Sequence, residues 1–358
     1  MARVLCISSE PSGDYLLSCV VRYLVENGHE AIGVGGYRSQ ESGLAMVGHI
    51  KELSAGGLFE ALHALPAHLR YLSRLKGMVP GVDALLVVDS PELGMRLIKA
   101  AVRVERPVFY LAPPQAWAWR PWRASRLRLC TWVGCLFDFE ARWYQGRGVE
   151  AVCVGHPLVS KIEPRLDMSA RRLGLLPGSR QGYVHQNLPI MLDAARVLLT
   201  EGEIDSVVIG LHSDVRLGHS LVEALTAEKR IKVAVGVEPV LAEAGLIWAN
   251  FGTVTLESAM AGVPTIGMGR VNRLSYEVAR RLVTAPHLML PNLVLGRRAF
   301  PELVQDEFTR ERIVETHRAA LSKYDVLRGA CLSLQGRLKD ELVNEFASGF
   351  EQYFGPSD

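Results

Sequence analysis

The chain has 358 residues, 49% of them hydrophobic and 22% charged, with 40 Lys and Arg against 38 Asp and Glu for a formal charge of +2. These values exclude a disordered chain, and the length suffices for two domains that each bury a core. No apolar run reaches the roughly 20 residues of a membrane-spanning helix, and six scattered cysteines without metal-type spacing read as reduced thiols.

Val4–Ile7 reads as the first strand; Met1–Ile7 is too short an apolar run for a signal peptide, and Ser8-Ser9-Glu10 ends it. Apolar spacing predicts a helix over Tyr15–Glu26, with Leu16, Leu17, Val20, Val21 and Leu24 on one face. In the connecting turn Gly13 permits close backbone approach, and Ser12 or Asp14 can cap the helix. The turn lacks the G-x-G-x-x-G of a dinucleotide loop, and an aspartate at a helix start repels phosphate, so it reads as a capped turn. Ala31–Gly35 is the next strand. Leu62, Leu65, Leu69, Leu72 and Leu75 then predict an amphipathic helix over Leu58–Met78, with Pro66 a local irregularity.

Ala84–Val88 is a buried strand that ends at Asp89-Ser90-Pro91-Glu92. A carboxylate at such a strand end suits a general base, and the same residues also read locally as a helix cap and first turn. Val108–Leu111 is another strand. From Arg96 to Arg128 there are eight Arg or Lys and one acid, Glu105, and five of the six tryptophans are Trp117, Trp119, Trp122, Trp132 and Trp143. Such a stretch suits an anionic ligand or a lipid interface, or is a solvated basic face beside core tryptophans. Nucleic acid is not an expected partner, because no recognition module is present. His156, in Gly155-His156-Pro157, reads as part of an ordered interdomain turn.

The Pro-containing stretch Glu163–Ser169 marks a boundary, giving an N-terminal domain at 1–165, a second domain at 166–330 and a helical tail at 331–358 that packs back on the first domain. Second-half strands are expected at Leu173–Leu176, Val207–Ile209, Ile231–Val235, Ala244–Trp248 and Thr265–Ile266. After the first of these comes Leu176-Pro177-Gly178-Ser179-Arg180, followed by helical spacing at Leu188, Ile190, Met191, Ala194, Ala195 and Leu198. Strand, Gly-Ser turn and helix aim backbone N–H groups at an anion, and Arg180 adds a planar cation that fits phosphate oxygens. Gly252-Thr253 through Leu256-Glu257 repeats the arrangement: Thr253 and the helix N-terminus can meet a phosphate, and Glu257 can accept from ribose hydroxyls. Alternatively it is a helix start whose acid favours the dipole. No Asp-x-Asp pair occurs, so diphosphate charge falls to Arg180, helix termini and amides, with no metal. The alternation of strands and helices predicts an α/β chain of two doubly wound, Rossmann-like domains facing a cleft, the glycosyltransferase B (GT-B) architecture.

Seven runs, in order, resemble the lipid-A-disaccharide synthase family: Glu10-Pro11-Ser12-Gly13-Asp14, Asp89-Ser90-Pro91, Trp117-Ala118-Trp119-Arg120, Gly155-His156-Pro157-Leu158, Leu176 to Arg180, Gly252-Thr253 through Leu256-Glu257, and Leu290-Pro291-Asn292-Leu293 ahead of Gly296-Arg297. The resemblance implies an inverting, metal- and cofactor-independent glycosyltransferase, peripheral on the inner face of the Gram-negative cytoplasmic membrane and compatible with an oligomer. Its donor would be UDP-2,3-diacylglucosamine, its acceptor 2,3-diacylglucosamine 1-phosphate, and its products lipid A disaccharide 1-phosphate and UDP. On matching positions it implies Asp89, Ser12 and Glu10 as the catalytic set, and Gly178, Ser179, Arg180, Gly252, Thr253 and Glu257 as the nucleotide site. The Leu58–Met78 helix, with Phe59, would offer an apolar surface to acyl chains. The family pattern is broken at Ala55-Gly56-Gly57, Glu92, Gly94, Tyr183 and Phe251. Two other readings stand beside it: another UDP-sugar transferase or UDP-GlcNAc 2-epimerase-like enzyme, and a non-catalytic nucleotide- or lipid-binding paralogue.

Overall fold

A computed structural model of the chain describes residues 1–52, 70–165, 168–218, 222, 225, 228–270, 276–277 and 281–355. Contacts group the chain into two units, Met1–Pro157 with Lys339–Asp358, and Leu158–Leu338.

In the first unit seven parallel strands, β1 (Arg3–Ser8), β2 (Glu30–Gly35), β3 (Ala45–His49), β4 (Ala84–Val88), β5 (Val108–Leu111), β6 (Trp132–Cys135) and β7 (Ala151–Cys153), lie in the order β3-β2-β1-β4-β5-β6-β7. Alternate β1 side chains serve opposite faces: Leu5 and Ile7 join one core, Val4 and Cys6 the other. A sheet buried on both faces needs near-continuous apolar strands, which is how β1, β4 and β5 read in sequence.

The second unit holds six strands, β8 (Arg172–Leu176), β9 (Ser206–Leu211), β10 (Ile231–Val235), β11 (Leu246–Ala249), β12 (Thr265–Gly269) and β13 (Glu302–Val304), in the order β10-β9-β8-β11-β12-β13. They too are parallel. With β8 in the place of β1, this repeats the order of the first six strands, so both units are doubly wound.

Several local expectations are corrected. Helix α1 runs Pro11–Glu26, starting earlier than Tyr15, with proline in its first turn and no side-chain cap. The buried Asp14 instead accepts from the Gly36, Arg38 and Ser39 amides at 2.6, 3.1 and 3.3 Å and so caps the short helix Tyr37–Glu41. Ala244 and Gly245 precede β11 rather than belonging to it. Of the Leu58–Met78 helix, residues 53–69 lie outside the described residues, including Phe59, Leu62, Leu65, Pro66, Leu69 and Ala55-Gly56-Gly57. Residues 70–78 are helical, and Leu72 and Leu75 are buried in the core rather than offered to acyl chains.

At the C-terminus, helices Arg310–Leu321 and Tyr324–Gln335 stay with the second unit. The last helix, Leu342–Phe354, covers the first sheet with Leu342, Phe346 and Phe350. Gly349 lets it approach closely, since a Cβ there would lie 2.6 Å from Trp132. The Gly155-His156-Pro157 run is where the returning chain is sewn in. The His156 amide donates to the Lys339 carbonyl at 2.7 Å, and a side chain at Gly155 (φ 75°) would strike that carbonyl.

Candidate functional site

In a doubly wound sheet, ligands gather where neighbouring strands send their connections to opposite sides, at the strand carboxyl ends. In the first unit that point lies between β1 and β4, and the structure brings Ser12 and Asp89 together there. Asp89 follows β4 with a left-handed backbone (φ 43°), as does Ala112 (φ 50°) after neighbouring β5. Aspartate tolerates this region better than most residues, and paired outliers mark a constrained spot. The Ser12 hydroxyl donates to Asp89 Oδ2 at 2.7 Å. Gly13 allows the meeting: a Cβ there would sit 2.9 Å from Asp89 Cβ and 2.5 Å from Ser8 Oγ. Burial raises the Asp89 carboxyl above the ordinary range, and the Ser12 hydrogen bond partly opposes this. Glu10 stands exposed at the N-cap of α1.

A second carboxylate lies deeper and is missed by the sequence reading. Glu140, in the first turn of helix Asp138–Gln145, accepts from Trp117 Nε1 at 2.9 Å and from the Phe137 amide at 3.3 Å. Its position reads as an N-terminal helix acid, which hides the burial that pushes it up to about 7. The Gly94 departure has a steric reason in this packing, because a Cβ there would lie 2.3 Å from Val87.

In the second unit the equivalent point lies between β8 and β11. A pocket of about 470 Å³ opens there, lined by Gly178, Ser179, Arg180, Gly252, Thr253 and Glu257, with Tyr183, His212, Asn250 and Phe251 among its other walls. Six positions separated by some seventy residues of sequence thus surround one space. Two helices start at it, Gln181–Thr200 and Thr253–Met260, and their free amides favour an anion. Gly178 (φ 129°) is doubly required: its backbone is left-handed, and a Cβ would lie 2.9 Å from Tyr183 Cβ and 3.1 Å from Asn250 Nδ2. Arg180 is exposed at the rim, while Glu257 is half-buried and raised by that burial, with Glu238 adding to the effect.

The pocket's frame rests on Asn187, also absent from the sequence reading. Fully buried, it donates to the Pro177 carbonyl at 3.1 Å and Asn250 Oδ1 at 3.4 Å, and accepts from the Arg270 amide at 3.4 Å. It therefore ties together the ends of β8, β11 and β12. The signal was present: an asparagine on the Val184, Leu188, Met191 apolar face of its helix. Asn292 is likewise a clamp, binding the Phe300 carbonyl, the Glu302 carboxylate and the Ala299 and Phe300 amides at 2.8–2.9 Å. Among the described residues, no three His, Cys, Asp or Glu side chains form a metal-holding group, and no helix is long and apolar enough to cross a membrane.

Comparison with known proteins adds three findings. A sequence model of the lipid-A-disaccharide synthetase family matches residues 4–333. A lipid-A-disaccharide synthase of Acidobacterium capsulatum is 33% identical over 307 residues, covering 79% of this chain and 77% of that protein. Among solved structures, the S. aureus MnaA–UDP co-structure matches with TM-score 0.69 and 12% identity over 100% of both chains, and MurG of Acinetobacter baumannii with TM-score 0.59 and 15% identity over 98% of this chain and 99% of that one. At such identities these structures bear on the fold alone, two Rossmann-like domains of the GT-B kind.

Proposed function

The chain belongs to the lipid-A-disaccharide synthetase family and is a glycosyltransferase of lipid A biosynthesis; from that premise we propose that it joins UDP-2,3-diacylglucosamine to 2,3-diacylglucosamine 1-phosphate with inversion. The observation that carries the donor half is the second-unit pocket, where two glycine turns, two helix N-termini and Arg180 converge. The UDP diphosphate is read onto Arg180, the Thr253 hydroxyl and the nearby amides, and the ribose onto Glu257.

In this reading Asp89 takes the proton from the acceptor 6-hydroxyl as that oxygen attacks the donor anomeric carbon. The bond from that carbon to the diphosphate oxygen breaks, UDP departs, and a β-1,6 linkage forms. A carboxylate raised by burial is a stronger base than an ordinary one, and the Ser12 hydrogen bond to Oδ2 orients it. Glu10, exposed at the same turn, is assigned to acceptor contact. The reaction is read as metal-independent, so chelation with EDTA should leave turnover within about twofold, whereas a loss comparable to removing a catalytic base, ~10²-fold or more, would refute this. In the same reading the protein works peripherally at the inner face of the cytoplasmic membrane, where it would meet acylated substrates.

The test is incubation with both diacylated sugars and mass detection of a tetra-acyl disaccharide 1-phosphate. Absence of that product, under conditions where UDP binds, sinks the proposal. Conversion of UDP-GlcNAc to its 2-epimer in detergent-free solution would support an epimerase instead.

A further inference from the structure

The residues just after Asp89 meet the basic, tryptophan-rich stretch of the first unit. Glu92 lies in the first turn of α2 (Pro91–Arg103), and its Oε1 is 2.7 Å from Arg123 Nη2 and 3.9 Å from Arg120 Nη1. Among the described residues it is the one acid paired with either arginine. The Arg120 guanidinium stacks over the Trp119 ring at 4.1 Å, and Arg123 stands 5.6 Å from the same ring centre. Arg126 Nη1 donates to the Met95 carbonyl at 3.1 Å, fastening this segment along α2.

Three features distinguish this cluster from a surface ion pair. One carboxylate, three residues after Asp89, faces two guanidiniums, leaving the cluster with a net positive charge. The exposures are unequal: the Glu92 side chain is 73% exposed, Arg123 only 14%. The acid can therefore swing into water while Arg123 stays in place. Finally, Arg120 adopts a left-handed backbone (φ 57°, ψ 55°) at the start of the short helical turn Pro121–Arg123, the kind of strained conformation that collects at binding sites.

Two forked cations match the oxygens of a phosphomonoester, whose charge of nearly −2 exceeds what Glu92 supplies. The N-terminus of α2 favours the same charge. Trp122, 65% exposed, and Trp119, 37% exposed, add apolar faces beside the cations. We propose that Arg120 and Arg123 form the site that receives the phosphate of the acceptor, displacing Glu92. This rests on the acceptor assigned above, and it makes the pair the element that distinguishes a sugar 1-phosphate from its dephosphorylated counterpart.

The experiment measures equilibrium binding of 2,3-diacylglucosamine 1-phosphate, and of the same sugar without phosphate, in neutral-detergent micelles. It uses the full-length wild type, Arg120→Gln/Arg123→Gln and Glu92→Gln, each checked for an unchanged unfolding midpoint. The double variant should bind the phosphorylated sugar about tenfold or more weakly and the dephosphorylated sugar within about twofold of wild type. Glu92→Gln, which frees both arginines, should bind the phosphorylated sugar at least as tightly as wild type. Equal affinity of wild type and double variant for the phosphorylated sugar, or weakening by Glu92→Gln alone, overturns the site. So does a double variant that loses only binding to phosphatidylglycerol vesicles over phosphatidylcholine ones, since the arginines would then serve a bilayer headgroup. A wild type that binds the phosphorylated sugar through these arginines yet forms no disaccharide would defeat the transferase reading and leave the phosphate site standing.

Discussion

Asp89 combines a left-handed backbone with a carboxyl raised by burial and restrained by Ser12. Because the Ser12 hydrogen bond favours the charged form, Ser12→Ala should move the acid limb of the kcat/KM profile to higher pH; an unmoved limb would remove Ser12 from that role. Glu140 provides a stability test with a defined sign. Its carboxyl rises from 4.5 to about 7 on folding, so the folded state holds the proton that the unfolded chain has released across that window. Stability is full below about 4.5 and is lost as pH rises toward 7, by an amount on the order of 3 kcal/mol. Glu140→Gln should lose that slope: denaturant unfolding should find the variant gaining on wild type from pH 4.5 to 7, and parallel curves would contradict the assignment. Asp89 was legible in sequence because an acid ended an apolar strand. Glu140 was not, because only the fold reveals that Trp117 and the sheet exclude water from it.

The elements that were read correctly in sequence are the ones whose composition shows a clear pattern. β1, β4, β5 and β8 are continuous apolar runs flanked by turns, and α1 shows its 3.6-residue stripe. β3 is a part-exposed edge strand, β7 and β13 span only three residues, and β6 is embedded in the basic tryptophan stretch. The nucleotide-type turns were legible because glycine and arginine follow apolar strands directly, but the asparagine holding them together was not, since its partners are distant in sequence. Asn187→Ala should strand the Pro177 carbonyl and the Arg270 amide and cost about 1–3 kcal/mol. UDP affinity should fall with it, and a variant with wild-type stability and UDP affinity would show that the clamp is dispensable. Gly155-His156-Pro157 and Leu290-Pro291-Asn292 carry backbone seams rather than open chemistry, which explains why motif order spoke for the fold more firmly than for the site.

The two units carry unequal acid responses. His156 in the first and His317 in the second are buried and pushed down to about 4, so the unfolded chain binds more protons between about 4 and 6.5, and stability is lost as pH falls through that range. In the first unit Glu140 acts in the opposite direction. In the second, His317, both ring nitrogens without a hydrogen-bond partner against Trp248, is joined by Glu203, held below its usual range chiefly by its hydrogen bond from Arg318; the raised Glu257 offsets them in part. On lowering the pH from 7 to 5, hydrogen exchange should therefore show the second unit's core amides losing more protection than the first unit's, and the reverse change would refute this balance. The central claim, that Asp89 is the base of the proposed transfer, is tested most directly by Asp89→Asn, since asparagine accepts the left-handed backbone and is near-isosteric with aspartate but cannot take up the proton. Turnover to disaccharide 1-phosphate and UDP affinity should be measured on the same preparation. The account predicts UDP affinity within about twofold of wild type and turnover lowered about 10²–10⁴-fold; near-normal turnover would contradict it.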